Sequence, residues 1–166
     1  MTPKIPTILD SSLYFPDHRG ELIELLSEQA VSNGPLSGLV FPKQNLSISK
    51  KGVIRGIHGD KKTAKLVSCV FGSIYLVAVD VEQGRFWEFH LDYRTRGKQV
   101  FVPAGFGMGY LVTSRKAGLW YAWTREYNDK KKDGGQFTYR YDDKRFKIPW
   151  PLFGKKPILS ERDNNG

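Results

Sequence analysis

The chain has 166 residues, of which 40% are hydrophobic and 13% aromatic, a net charge of +9 and one cysteine, Cys69. This length and composition fit a single domain over residues 1–166 with a genuine core and exclude a disordered chain. No apolar run is long enough for a transmembrane helix, and a lone cysteine excludes an intrachain disulfide framework or a Cys-rich metal site.

The stretch Met1-Thr2-Pro3-Lys4-Ile5 lacks the apolar core of a signal peptide, so a reducing, cytoplasmic setting is expected. The positive charge suits an anionic partner (nucleic acid, a membrane surface or a phosphorylated small molecule) without choosing among them. The run Lys130-Lys131-Lys132 reads as a solvated loop.

In chain order, Glu21 to Ala30 is the one long helical candidate, closed by Gly34-Pro35. Strands rich in β-branched and aromatic residues follow at Leu39–Phe41, Lys65–Val70, Ser73–Val81, Phe86–Leu91, Gln99–Val102, Gly109–Thr113 and Leu119–Thr124. Turn signals separate them at Phe71-Gly72, Gln83-Gly84, Arg96-Gly97, Pro103-Ala104-Gly105 and Arg115 to Gly118. Many short strands at regular spacing predict an all-β sandwich or barrel, with a double-sheet jelly roll as the candidate. The last third, with Trp150-Pro151 and Lys156-Pro157, reads as irregular chain with a short helix, wrapped over the β core.

Metal chemistry is poorly supported. His18, His58 and His90 do not pair at ligand spacing, and none has a nearby cysteine, so no metal is expected. Gly105-Phe106-Gly107-Met108-Gly109 lacks the ending and the helix of a phosphate loop and reads as close backbone packing at a barrel corner. Cys69 reads as a small core residue. The densest segment runs from Asn45 to Asp60, followed by Lys65. Between Val53 and His58 apolar residues alternate with Arg55 and His58, interrupted at Gly56. A strand there brings Arg55 and His58 towards a common face, and glycines on both sides of His58 admit other groups. Arg, His and Lys together make a basic pocket with one group that titrates near neutrality. A lone histidine in a strand is more often structural, so the residues alone leave both readings open.

A larger pattern extends from Phe15 to Asp163. It comprises Phe15-Pro16-Asp17-His18-Arg19-Gly20 with Glu24, Gln44-Asn45-Leu46-Ser47, Gly52-Val53-Ile54-Arg55-Gly56-Ile57-His58, and Lys65-Leu66-Val67. Gly72 and Val77-Ala78-Val79-Asp80 follow, then Val102-Pro103-Ala104-Gly105-Phe106-Gly107, and Tyr121 six residues before Tyr127. Trp150-Pro151 and Leu159-Ser160-Glu161-Arg162-Asp163 close it. In this order and spacing the chain resembles the dTDP-4-dehydrorhamnose 3,5-epimerases, especially divergent relatives acting on other 4-keto sugars. The resemblance implies a cupin-type jelly roll with short peripheral helices, no metal or other cofactor, and a homodimer whose N-terminal strands exchange to complete the partner's site. It implies a nucleotide-diphosphate sugar as substrate, which accounts for the positive charge, and neither nucleic acid nor membrane as partner.

The resemblance also implies roles. His58 matches the base that removes a proton beside the ketone, and Asp163 the carboxylate that orients it. Lys65 matches the cation facing the C4 oxygen, and Tyr121 the acid on the opposite ring face, with Tyr127 a second tyrosine nearby. Arg55 matches a sugar-nucleotide contact, and Arg19 a diphosphate contact from the neighbouring subunit. Glu24 and Asn45 match positions near the nucleotide. Met108 stands where the family usually has His, Leu76 where many members have Asp, Lys43 for a usual Gln and Glu21 for an aromatic. Met108 and Leu76 read as a lost polar pair. These changes lie near sugar and nucleotide, while His58-Gly59-Asp60 and Gln136-Phe137-Thr138-Tyr139 look like relatives that handle GDP-linked 4-keto heptoses. The expected activity is epimerisation at C3, C5 or both of a dTDP- or GDP-linked 4-keto sugar. A C3-only epimerase and a non-catalytic nucleotide-sugar binder on the same scaffold are the alternatives.

Overall fold

The structure, a computed structural model, describes residues 2–10, 13–95, 98–126 and 135–166. In chain order the elements are β1 (Thr7–Leu9), β2 (Leu13–Asp17), β3 (Gly20–Glu24), α1 (Glu28–Ser32), β4 (Lys43–Lys50), β5 (Ile54–Asp60), β6 (Lys65–Phe71) and β7 (Ser73–Asp80). They continue with β8 (Arg85–Asp92), a 3-10 turn at Tyr93–Thr95, β9 (Gln99–Val102), β10 (Phe106–Val112), β11 (Lys116–Trp123), β12 (Gln136–Thr138) and α2 (Glu161–Asn165). Two five-stranded antiparallel sheets, β1-β9-β6-β11-β4 and β12-β5-β10-β7-β8, form a jelly-roll sandwich, and β2 and β3 make a separate hairpin.

The burial pattern follows from three apolar layers. Between the sheets lie Val67, Cys69, Leu76, Ala78, Val100, Val102, Met108 and Leu119. Outside the second sheet, Ile57, Tyr75, Val77 and Val79 are roofed by Phe146, Trp150 and Leu152 of the C-terminal segment. Outside the first, Leu66, Phe101 and Trp120 are covered by Leu36, Leu39 and Phe41. Strands such as β7 are therefore buried on both faces and read as nearly continuous apolar runs. The Cys69 thiol belongs to the central layer, and burial, with Asp92 adding, pushes its pKa up to about 11, which makes it inert.

Several expectations need correction. The helix expected over Glu21–Ala30 is replaced by β3 at Gly20–Glu24, paired with β2, and a helix only at Glu28–Ser32. Hairpin pairing through the turn at His18-Arg19 wins over helical propensity there. Leu39–Phe41 is not a strand: Leu39 and Phe41 pack as irregular chain on the Trp120 layer, and the strand begins at Lys43. The turn expected across Arg115 to Gly118 gives way to β11 from Lys116, with Gly118 set against the Phe71 ring. Gly107 and Gly109 do pack closely, on Ile57 and the Arg55 carbonyl, but within β10 rather than at a corner. The Lys130–Lys132 run lies outside the described residues. Among the described residues no helix is long and apolar enough to cross a membrane.

Candidate active site

A cavity of about 400 Å³ opens between the two sheets, and its lining includes Arg55, His58, Lys65, Met108, Tyr121 and Asp163. Local sequence explains how they meet. Between β5 and β10, Met108 pairs with His58 and Tyr110 with Arg55, so two residues of β5 oppose one of β10. This bulge at Gly56-Ile57 turns Arg55 and His58, three apart, to the same cavity. Gly56 is required there: its φ is 113° and a Cβ would lie 2.5 Å from the Met108 carbonyl oxygen. Gly59 leaves room on the other side of His58 for the Phe137 ring of β12.

His58 is held by α2. Its Nε2 is 2.7 Å from Asp163 Oδ1, and its Nδ1 is 3.2 Å from Thr138 Oγ1. Asp163 Oδ1 also accepts from the Gly56 N–H at 3.1 Å, and Oδ2 accepts from the Ser160 hydroxyl at 2.7 Å. Ser160 is the N-cap of α2, accepting from the Asp163 N–H, so the cap fixes the carboxylate's backbone and side chain together. Asp163 is 3% exposed. Burial alone would raise its pKa, but hydrogen bonds from His58, Ser160 and Gly56 outweigh it and hold the pKa at about 2.

That depression makes an acid-stability prediction. An unfolded carboxyl titrates near 3.8, so the contribution is full above that value and is lost as pH falls through about 2. The loss amounts to on the order of 2 kcal/mol. Urea unfolding at pH 5 and pH 2 is expected to show a smaller acid loss in Asp163→Asn than in the parent by that amount; equal losses would remove the carboxylate from the account.

Lys65, the first residue of β6, is 8% exposed and donates from Nζ to the His58 carbonyl oxygen at 2.9 Å. Burial pulls its pKa down to about 8, Asp60 opposing and Arg162 reinforcing the fall. Tyr121, on β11 of the facing sheet, has a hydroxyl whose pKa is raised by burial and by Tyr110, against a lowering influence of Arg55. His58 and Tyr121 thus stand on opposite walls of one cavity. Arg55 donates from Nε to Ser49 Oγ at 3.0 Å, and Tyr110 donates to Ser47 Oγ at 3.0 Å. Among the described residues no group of three His, Cys, Asp or Glu side chains is arranged to hold a metal ion.

Other expected residues lie elsewhere. Asn45 pairs across from Tyr121 on β4 but does not line the cavity. Arg19, at the β2–β3 turn, is exposed and ion-paired with Asp17 at 2.6 Å. Glu24 ends β3, away from the cavity. Tyr127 lies outside the described residues. Leu76 is fully buried beneath the cavity wall and packs in the same apolar layer as Met108. The structure adds Ser47, Tyr110, Trp123 and Arg162 to the lining, and Thr138 against His58. Ser160, which caps α2, had a legible signal in its Ser-x-x-Asp capping pattern.

Comparison with known proteins identifies the family. The family model described as dTDP-4-dehydrorhamnose 3,5-epimerase matches residues 7–166. The dTDP-4-dehydrorhamnose 3,5-epimerase of Shigella flexneri is 31% identical over 160 residues, covering 92% of this chain and 84% of that protein. The one from Methanothermobacter thermautotrophicus is 31% identical over 174 residues, covering 97% and 91%. Among solved structures, the dTDP-6-deoxy-D-glucose-3,5-epimerase of Legionella pneumophila, in complex with dTDP-4-keto-L-rhamnose, superposes with a TM-score of 0.84 at 28% identity, covering 100% of this chain and 89% of that one. ChmJ, a 3'-monoepimerase from Streptomyces bikiniensis in complex with dTDP-quinovose, superposes at 0.83 and 28% identity, covering 100% and 86%. This chain, a jelly roll matched over nearly its whole length, belongs to the dTDP-4-dehydrorhamnose 3,5-epimerase family of isomerases.

Proposed function

We propose that the protein epimerises C3, C5 or both of a nucleotide-diphosphate-linked 4-keto sugar. The observation that carries this reading is the placement of His58, backed by Asp163, on one sheet and Tyr121 on the other, with the buried Lys65 in the same cavity. A carbon beside a ketone has a weakly acidic proton, and C3 and C5 both flank C4. His58 takes that proton, the electron pair moves onto O4, and the Lys65 ammonium stabilises the enolate. Tyr121 returns a proton from the opposite face, which inverts the centre. Asp163 accepts the Nε2–H and stabilises the imidazolium as it forms.

Relatives solved with dTDP-4-keto-L-rhamnose and with dTDP-quinovose favour a dTDP-linked sugar, with GDP the alternative nucleotide. The likeness to a 3'-monoepimerase favours C3-only inversion as the second reading. Met108 and Leu119 supply an apolar part of the cavity wall against the sugar, and Arg55 a cationic part. The functional unit of this reading is a homodimer with exchanged N-terminal strands. In support, among the described residues the β2–β3 hairpin joins neither large sheet, Leu13, Phe15 and Leu22 on it are exposed, and edge strand β4 exposes Leu46 and Ile48. Arg19 and Glu24, which do not line their own cavity, would then serve the partner's.

The test is solvent exchange. Incubation in deuterated water with dTDP- and GDP-linked 4-keto sugars is expected to place deuterium at C3, C5 or both, read by NMR and mass spectrometry. No exchange despite binding would make the protein a nucleotide-sugar binder instead. Tyr121→Phe separates the two proton transfers. Inversion is expected to fall by about 10²-fold, while exchange through His58 continues faster than inversion. Equal losses of exchange and inversion would remove Tyr121 from the reprotonation step.

A further inference from the structure

His58 has a partner that the proton transfers above do not use. Thr138 of β12 is its direct cross-strand neighbour, and Thr138 Oγ1 lies 3.2 Å from His58 Nδ1. The same oxygen accepts from Arg162 Nη2 at 3.1 Å. The direction of these bonds follows from the groups at either end. A guanidinium only donates, so Arg162 occupies a lone pair of the hydroxyl. An ionised carboxylate only accepts, so Asp163 takes the proton on Nε2 and leaves the lone pair of the neutral ring on Nδ1. The Thr138 hydroxyl then donates to Nδ1. A single donor-to-acceptor chain runs Arg162, Thr138, His58, Asp163, and its two ends are consecutive residues of α2.

Nδ1 is therefore the atom left to accept a carbon-bound proton, and it is the atom Thr138 holds. A ring fixed at one nitrogen can still swing about that contact. Fixed at both, it is confined to one orientation. Threonine suits this task because its β-branch restricts χ1, so the hydroxyl keeps its aim. Lys65 bonds the His58 carbonyl oxygen rather than its ring, and Tyr110 bonds Ser47.

We infer that Thr138, oriented by Arg162, is a positioning residue for the catalytic base, holding His58 Nδ1 in place until the substrate C–H displaces the hydroxyl. The inference rests on the assignment of His58 as base. Thr138→Val keeps the shape and removes the hydroxyl; Thr138→Ser keeps the hydroxyl. For Val, kcat is expected to fall about 3- to 10-fold with KM within about twofold, and Ser is expected to restore most of the loss. Nitrogen-15 NMR of the histidine rings gives a second readout independent of turnover. His58 is one of three histidines, and its signals are identified by their absence in His58→Asn. The Nδ1 resonance is expected to move in Val and return in Ser, with Nε2 protonated throughout. A Val variant with parental kcat and an unmoved Nδ1 signal overturns the inference. So does a loss of kcat with an unmoved signal, which is altered packing. If the protein turns over no 4-keto sugar, the resonance still decides whether Thr138 holds the ring, so failure of the base assignment and failure of this inference are distinguishable.

Discussion

His58→Asn is expected to lower kcat by about 10³-fold and to abolish deuterium wash-in at the sugar carbons, with nucleotide-sugar binding changed only a few-fold. Asparagine fills similar space but has no nitrogen that accepts a proton near neutrality. The size follows from what the base does: the reacting proton sits on carbon, and without a positioned acceptor water must take it. The position of residue 58 is set by the pairing of β5 with β10 on either side of the Gly56-Ile57 bulge, so the comparison is a clean one. Isotope exchange and product formation are both read in one incubation. Wash-in surviving at more than about a tenth of the parental rate would move the base to another group in the cavity.

Lys65→Met is expected to cost about 10²- to 10³-fold in kcat, the range for removing a group that stabilises developing oxyanion charge. Methionine fills the buried channel without the ammonium. The same lysine predicts a pH dependence. With a pKa of about 8, Lys65 carries its charge below that pH and loses it above, so turnover is expected to fall as pH rises through about 8. Asp60→Asn removes a carboxylate that raises this pKa and moves the fall to lower pH. A rate profile flat to pH 10, or an active Lys65→Met protein, would show that the enolate is stabilised by something else. The charge also has a structural cost. An unfolded lysine titrates near 10.5, so between about 8 and 10.5 the folded state holds fewer protons than the unfolded one and gains stability with pH.

Strands buried on both faces were legible in the sequence. β6 and β7 read correctly because their residues are apolar in succession, which few other structures satisfy. β4 and β12 were missed for the opposite reason. β4 is an edge strand whose residues are mostly exposed or half-buried, Lys43-Gln44-Asn45 among them, and its pairing with β11 supplies what its composition does not. β3 reads as the start of a helix because Leu22 and Ile23 beside Glu21 and Glu24 fit a helical face, and pairing with Leu13–Asp17 excludes it.

In the site, His58, Lys65, Tyr121 and Asp163 come to one cavity as the family resemblance led one to expect. The bulge that lets Arg55 join His58 had a trace in the sequence, the glycine that breaks the alternation. Thr138 and Arg162 stood inside segments of the resemblance, but with no role of their own. One is an ordinary strand residue and the other an ordinary surface cation; their meaning comes from a pairing 80 residues long and a helix that returns to β5.

That return has a consequence for how the protein lives and fails. The carboxylate that steadies His58 contacts the Gly56 amide across 107 residues of sequence, and Ile158 bridges to Val53 just before it. Contacts of such separation carry the entropy cost of closing a long loop. The sandwich is held by its own ladders, whereas α2 is five residues held by its cap, by the Asp163 bonds to His58 and Gly56, and by the Arg162–Thr138 bond. Local opening of this latch costs far less than global unfolding. Opening of this segment separates Asp163 from His58 and leaves the sheet ladders paired, so the site is lost without the fold.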